Sequence, residues 1–274
     1  MIKKLLMPLG MFAGTTAFIL FCIHPCNKRK HIMKKRFGKY YIAHRGLFDN
    51  PHIPENSMPA FKAAIKEGYA IELDIQLTSD NRLVVFHDET LQRMCNDPRT
   101  LRQLSYKDLI QLNLLDSGEK IPLFKDVLNM VNGRVPLFVE IKPEGRFLEN
   151  ARRTAAVLKK YNGIFCVQSF NPFVLLSFRK HSPKVLRGQL SSDFKKDGDT
   201  HSPILQFIMS NLLFNCFSRP DFISYNHLHS NRMAFQICSR LFKSLNAAWT
   251  IRNRKELEKA EKDFDFFIFE SFRP

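Results

Sequence analysis

AIELDIQLTSDNRLVVFH, residues 70–87, sets two apolar runs on either side of a short polar break. Only Thr78, Ser79, Asp80, Asn81 and Arg82 separate Leu77 from Leu83. A parallel return between strands needs about a dozen residues or more, so the two runs are expected to pair as an antiparallel hairpin. Asp80-Asn81 supplies the turn chemistry. With the turn centred on those two residues, Asp74 is expected opposite His87. Side chains alternate along a strand, which puts Glu72 on the same face as Asp74. Two carboxylates and a histidine are thereby predicted to converge.

Outward from this hairpin, short apolar runs alternate with helix-period segments. Strand-like runs occur at Tyr40–His44, Tyr69–Leu77, Leu83–His87, Leu137–Ile141, Ile164–Phe170, Val185–Leu190, Phe222–Tyr225, Ala247–Ile251 and Phe266–Phe269. Helical spacing fills most of the gaps, as in Ser57–Glu67, Leu123–Val131 and Phe147–Tyr161. Such alternation implies an α/β fold with a parallel sheet, and the number of units suits a closed (β/α)8 barrel of the TIM type. Nine runs compete for eight places, so one of them lies outside the barrel. Residues 187–220 are the least regular and are expected to form an elaborated loop, either a lid or a membrane-facing insert.

The chain has 274 residues, 45% of them apolar and 26 of them Phe, enough for a sizeable core. Formal net charge is +16. Half of that excess comes from Lys3, Lys4, Lys28, Arg29, Lys30, Lys34, Lys35 and Arg36, with no acid before Asp49. No basic stripe interleaved with aromatics stands out, so nucleic acid is not an expected partner; anionic lipid or phosphate is. The six cysteines, at 22, 26, 95, 166, 216 and 238, lack CxxC spacing and read as reduced thiols. From Leu5 to Ile23 no charge occurs, and 19 such residues approach the length that spans a bilayer. The reading is therefore residues 1–36 as a single-pass transmembrane anchor with a basic flank, and 37–274 as the catalytic domain. A cleaved signal peptide is the rival, disfavoured because Ile23-His24-Pro25-Cys26 leads straight into basic residues. The richer positive flank follows the span, which would leave the domain cytoplasmic. No obligate protein partner is implied.

Glu72 and Asp74 interrupt an otherwise apolar strand. Two same-face acids in a buried strand repel unless a cation sits between them. Glu140, in Leu137-Phe138-Val139-Glu140-Ile141-Lys142, repeats the pattern near a strand's C-terminal end, where barrel enzymes build their sites. Three carboxylates without soft ligands point to one hard divalent cation, Mg²⁺ or Ca²⁺. Lys142 shares Glu140's face and could hold a phosphate; its alternative is a solvated strand-end lysine. His44 and His87 end two strands and could exchange protons near neutral pH. Arg45 offers a fork for phosphate oxygens, and Gly46 lets the chain turn beside it.

The runs IAHRG, PENSMPAF, IELDIQLTSDNRLVVFHDETLQR, KIPLFKDVL, VEIK, QSF and AWTI, in that order across about residues 40–255, closely resemble the glycerophosphodiester phosphodiesterase family. The resemblance implies a TIM barrel that cleaves deacylated phospholipids to glycerol 3-phosphate and an alcohol. It implies Glu72, Asp74 and Glu140 as metal ligands and His44 and His87 as the acid/base pair. Arg45 and Lys142 would grip the phosphate, and Glu55 would support the metal or His44. Trp249 would line the glycerol pocket with Ser169 and Phe170 at its edge. It further implies attack on phosphorus by the substrate's own glycerol 2-hydroxyl, giving a cyclic intermediate opened by water. Three departures stand out: Ser57 where Thr is usual, Arg252 where Asn is usual, and Glu270 near the place of an Asp. Two rival functions share these residues: lysophospholipase D action on acylated lipid, and an inactive, membrane-tethered binder of lipid or phosphate.

Overall fold

A computed structural model describes residues 14–274. Its sheet holds nine strands: β1 (Ile42–Ala43), β2 (Ala70–Leu77), β3 (Leu83–Val85), β4 (Leu137–Ile141), β5 (Phe165–Ser169), β6 (Arg187–Ser191), β7 (Phe222–Asn226), β8 (Leu245–Ile251) and β9 (Phe266–Phe269). Eight of them run parallel and close on themselves, because β1 pairs with both β9 and β2. The ninth, β3, pairs antiparallel with β2 and is the surplus run. Helices such as Met58–Lys66, Phe124–Val131, Phe147–Leu158 and Pro172–His181 cover the outside. The architecture is a TIM-type α/β barrel.

The hairpin register differs by one residue from the expected one. Leu77 pairs with Leu83 and Ile75 with Val85, which sets Asp74 against Phe86 rather than His87. Thr78 and Arg82 close the turn by mutual backbone and hydroxyl hydrogen bonds, leaving three residues in the loop. Asn81 takes a positive φ of 63°, the left-handed residue that three-residue hairpin loops use. His87 therefore lies beyond the strand end, in the loop that follows.

Along the barrel interior, one inward-facing file per strand changes character from bottom to top. Ile42 gives way to His44, Ala70 to Glu72 and Asp74, Phe138 to Glu140 and Lys142, and Ile268 to Glu270. The lower layer is a dry cluster of Ile42, Ala70, Phe138, Cys166, Phe222, Phe266 and Ile268. Gly188 makes room for it: a Cβ there would fall 2.2 Å from the Phe222 ring.

The floor is closed from below by the helix Lys30–Phe37, whose Met33 and Phe37 are fully buried in that cluster. Phe37 meets Phe138 edge-on at 5.0 Å. Arg29 is pinned by a two-pronged bond to the buried Asp221, and Lys34 pairs with Asp265. The boundary drawn after residue 36 thus cuts through an element of the barrel, and much of the basic flank is used in contacts within the chain.

The span read at 5–23 lies partly, at 5–13, outside the described residues. Residues 14–23 are helical, and Cys22 and Ile23 are buried at their end. The Ile23 carbonyl accepts from the Asn215 amide at 2.9 Å, so the last turn is held by protein. Among the described residues no helix is long and apolar enough to cross a membrane. The transmembrane helix expected from the apolar run is not found there.

Candidate active site

Because β2 and β4 run in register, Asp74 lies beside Glu140 in the ladder, with Glu72 two residues below. One oxygen from each of Glu72, Asp74 and Glu140 falls within 4.8 Å of the other two. Glu72 Oε1, Asp74 Oδ1 and Glu140 Oε1 are buried and make no hydrogen bond. Lys142 Nζ stands 2.9 Å from Glu140 Oε1 and 3.5 Å from Asp74 Oδ1, off the hydrogen-bonding direction. Burial, then the charges of Asp74 and Glu140, push the Glu72 carboxyl well above the usual range. Burial opposes ionisation of Asp74 too, but Lys142, His87 and Arg45 outweigh it and hold that carboxyl low. Three converging carboxylates, with Glu72 Oε1 unpartnered and the facing oxygens of Asp74 and Glu140 met only by the Lys142 charge, form a donor set that fits a hard divalent cation.

Above them a cavity of about 430 Å³ opens between His44, Arg45, His87, Phe170, Trp249 and Arg252. Each histidine is held by its Nδ1: His44 against Glu270 at 2.6 Å and His87 against Asp88 at 2.7 Å. Both Nε2 atoms remain for other work, that of His44 being 4.0 Å from Glu72. Burial, followed by the neighbouring Arg45, lowers the His44 pKa and favours the neutral ring. The loop carrying His87 is fixed by Gln76, whose side-chain amide donates to the carbonyls of Phe86, His87 and Asp88. Gln189 does the same for Ser169 and Phe170. At the cavity wall Trp249 keeps its Nε1–H without a partner and meets Phe170 edge-on at 5.6 Å.

Arg45 holds a positive φ of 55°. Its backbone N–H donates to Glu72 and its guanidinium to Glu55, while Nε faces Asp74 Oδ2 at 3.8 Å. Gly46 follows at φ +84°, with Ala60 only 2.9 Å from where a Cβ would stand. No other residue fits that turn without movement.

Nine of the expected residues line or floor this cavity: His44, Arg45, Glu55, Glu72, Asp74, His87, Glu140, Phe170 and Trp249. Lys142 sits buried against the carboxylates rather than solvated. Two expectations fail. Ser169 faces away: it is fully buried, its hydroxyl donating to the Ile141 carbonyl at 2.7 Å. The period of two puts Gln168 and Phe170 inward and Ser169 outward. Glu55 touches neither His44 nor the carboxylate cluster but joins Arg45 to Arg93, which also holds Asp88. Reading the sequence missed Asn56, Gln76, Asp88 and Arg93. Asn56 alone had a local signal, since it takes a positive φ of 55° in the turn and donates to Asp74 at 2.8 Å.

Buried carboxylates, oriented imidazoles and an arginine fork at one rim suit proton transfer and charge neutralisation at a phosphate diester. The chain belongs to the glycerophosphoryl diester phosphodiesterase family, whose sequence profile matches residues 44–262. The YhdW protein of Bacillus subtilis is 26% identical over 81% of this chain and 90% of its own. A glycerophosphodiester phosphodiesterase of Caldanaerobacter subterraneus is 34% identical over 54% of this chain and 65% of its own. In fold, the chain resembles an Oleispira antarctica phosphodiesterase solved with the product sn-glycerol-3-phosphate, at a TM-score of 0.67 and 23% identity, covering 84% of this chain and 92% of that one.

Proposed function

We propose that the protein hydrolyses glycerophosphodiesters to sn-glycerol 3-phosphate and an alcohol, with Glu72, Asp74 and Glu140 holding a divalent cation. The observation that carries this reading is the convergence of three buried carboxylates, one oxygen of each within 4.8 Å of the others, beside two oriented imidazoles. Such a cation, when bound, would offset the phosphate charge and acidify a nearby hydroxyl. Arg45 and Lys142 present positive charge to the phosphate oxygens from either side. His44, kept neutral by burial, takes the proton from the attacking glycerol 2-hydroxyl, and Glu270 supports the imidazolium that forms. His87, oriented by Asp88, returns a proton to the departing alcohol, and water then opens the resulting cyclic phosphodiester to glycerol 3-phosphate. Trp249 covers the glycerol with its indole face and offers its free N–H to a hydroxyl.

The test is a panel of glycerophosphocholine, glycerophosphoethanolamine and glycerophosphoglycerol, read by release of glycerol 3-phosphate with Mg²⁺, Ca²⁺ or EDTA. Turnover that survives full chelation would remove the cation from the reading. No turnover of any diester would remove the activity.

A further inference from the structure

The indole of Trp249, the chain's single tryptophan, ends a file of three aromatic rings. Phe170 meets it edge-on at 5.6 Å and 89°, and Phe194 meets Phe170 at 6.0 Å and 69°. Phe170 and Trp249 line the catalytic cavity, whereas Phe194 stands behind them, in the wall of a separate apolar cavity of about 240 Å³. Phe170 belongs to both walls and is the partition between the two spaces.

The backbone does not decide how that partition is turned. Gln189 pins the carbonyls of Ser169 and Phe170, but this leaves the Phe170 ring free to rotate about its own side-chain bonds. The apolar cavity at its back gives it room to swing away from the indole. Phe194 stands on that side, and its edge-to-face contact favours one orientation of the Phe170 ring.

Phe194 is itself firmly mounted by the irregular segment after β6. Its N–H donates to the Ser210 hydroxyl at 3.1 Å, and its carbonyl accepts from the Asp199 N–H at 3.0 Å. Beside it Asp193 pairs with Arg232 at 2.6 Å, and Asp197 with His229 at 2.9 Å. The helix Pro203–Ser210 is tied to the barrel by the hydroxyls of Ser191 and Tyr225, which donate to the carbonyls of Met209 and Ser210. The segment thus reaches the site through one ring.

We propose that Phe194 is a positioning residue of the substrate site, acting through Phe170 to hold the Trp249 indole in the orientation that receives the glycerol end of the substrate. This rests on the reading above, in which Trp249 covers the glycerol. A wall ordered before the substrate arrives spares the cost of ordering it on binding, so the effect falls on affinity. The proton-transferring rings are held elsewhere, His44 by Glu270 and His87 by Asp88. Phe194 therefore governs KM and leaves kcat alone.

The experiment uses the full chain with Mg²⁺ and the emission of Trp249, to which no other tryptophan adds. Phe194→Ala should open the indole to acrylamide quenching. It should also weaken glycerol 3-phosphate binding and raise KM for glycerophosphoethanolamine by about two- to tenfold, the worth of one aromatic contact, with kcat within about twofold of wild type. Phe194→Tyr keeps the ring and should restore all three readouts. Phe207→Ala, exposed on the same helix, should change none of them. If Phe194→Ala does not fold, Ser210→Ala decides: it removes the anchor and keeps the ring, and should move quenching and KM in the same direction by less. Wild-type quenching and KM in the deciding variant overturn the inference, whatever its Tm does. So does a loss confined to kcat, or one that Phe194→Tyr or Phe207→Ala shares. Increased quenching at unchanged KM means that the indole does not meet the glycerol; it overturns the inference and leaves the diesterase reading standing. A wild-type protein that turns over no diester overturns both.

Discussion

One carboxylate oxygen of Glu270 lies 2.6 Å from His44 Nδ1, and the other accepts from Arg252 Nε at 2.9 Å. Glu270 and Arg252 are the two pocket positions at which the sequence departs from the pattern it resembles. They meet in space, and the longer acid is steadied by the arginine. Glu270→Gln should lower kcat by about tenfold or more with little change in KM, because the neutral amide supports the His44 imidazolium poorly. Arg252→Ala, which removes a half-exposed pair, should cost only severalfold. In the double variant the two losses should not add, since Arg252 acts through Glu270. Additive losses would break the relay.

His44→Ala and His87→Ala should each reduce turnover by ~10² or more while leaving the thermal transition within a few degrees of wild type. Both rings are rim residues whose removal opens no core cavity. Activity within severalfold of wild type in either variant would deny that ring a proton-transfer role.

Ca²⁺ or Mg²⁺ should raise the Tm of the wild-type protein, because a cation that binds only the folded state stabilises it by mass action, and Asp74→Asn and Glu140→Gln should abolish that rise. Calorimetry with and without EDTA reads this independently of activity. An unchanged cation-dependent shift in both variants would place the ion elsewhere.

Acid should weaken the fold partly through Glu270. Burial raises its pKa, but the hydrogen bond and charge of His44, with Arg252 and Arg45, outweigh burial and bring it down to about 2. A depressed folded pKa contributes stability that is complete above the unfolded value of about 4.3 and is lost as pH falls through the folded one. Glu270→Gln should therefore show a shallower loss of stability between about pH 4 and pH 2 than wild type. Parallel curves would mean that the pairing contributes nothing net.

Phe37→Ala should destabilise the protein by about 3 to 5 kcal/mol, the usual cost of deleting a buried phenylalanine, with kcat nearly unchanged. Denaturant unfolding reads the first and turnover the second.

Two short runs were legible at their ends as well as their centres: Leu137–Ile141 and Phe266–Phe269 occur as read. The carboxylate cluster was legible because acids break an apolar period only where something compensates them. The hairpin register was not, since it depends on whether Asn81 adopts a left-handed conformation, and Asp80-Asn81 serves a two- or three-residue loop equally. Gln76 acts through the carbonyls of Phe86, His87 and Asp88 across the hairpin, and Arg93 through Asp88 and Glu55, and nothing in the spacing of either marks that role. The helix Lys30–Phe37 escaped notice because only Met33 and Phe37, one turn apart, carry its apolar face among basic neighbours.

That helix decides where a shortened form of the protein can begin. A chain starting at or after Phe37 would leave Phe138, Phe222 and Phe266 bare at the foot of the barrel, a wet apolar well inviting self-association. One starting ahead of Cys22 keeps the stopper, its fastening to Asp221 and the buried Ile23. Any tag, fusion or proteolytic trimming that respects this limit should yield a folded catalytic unit, and one that crosses it should yield aggregate.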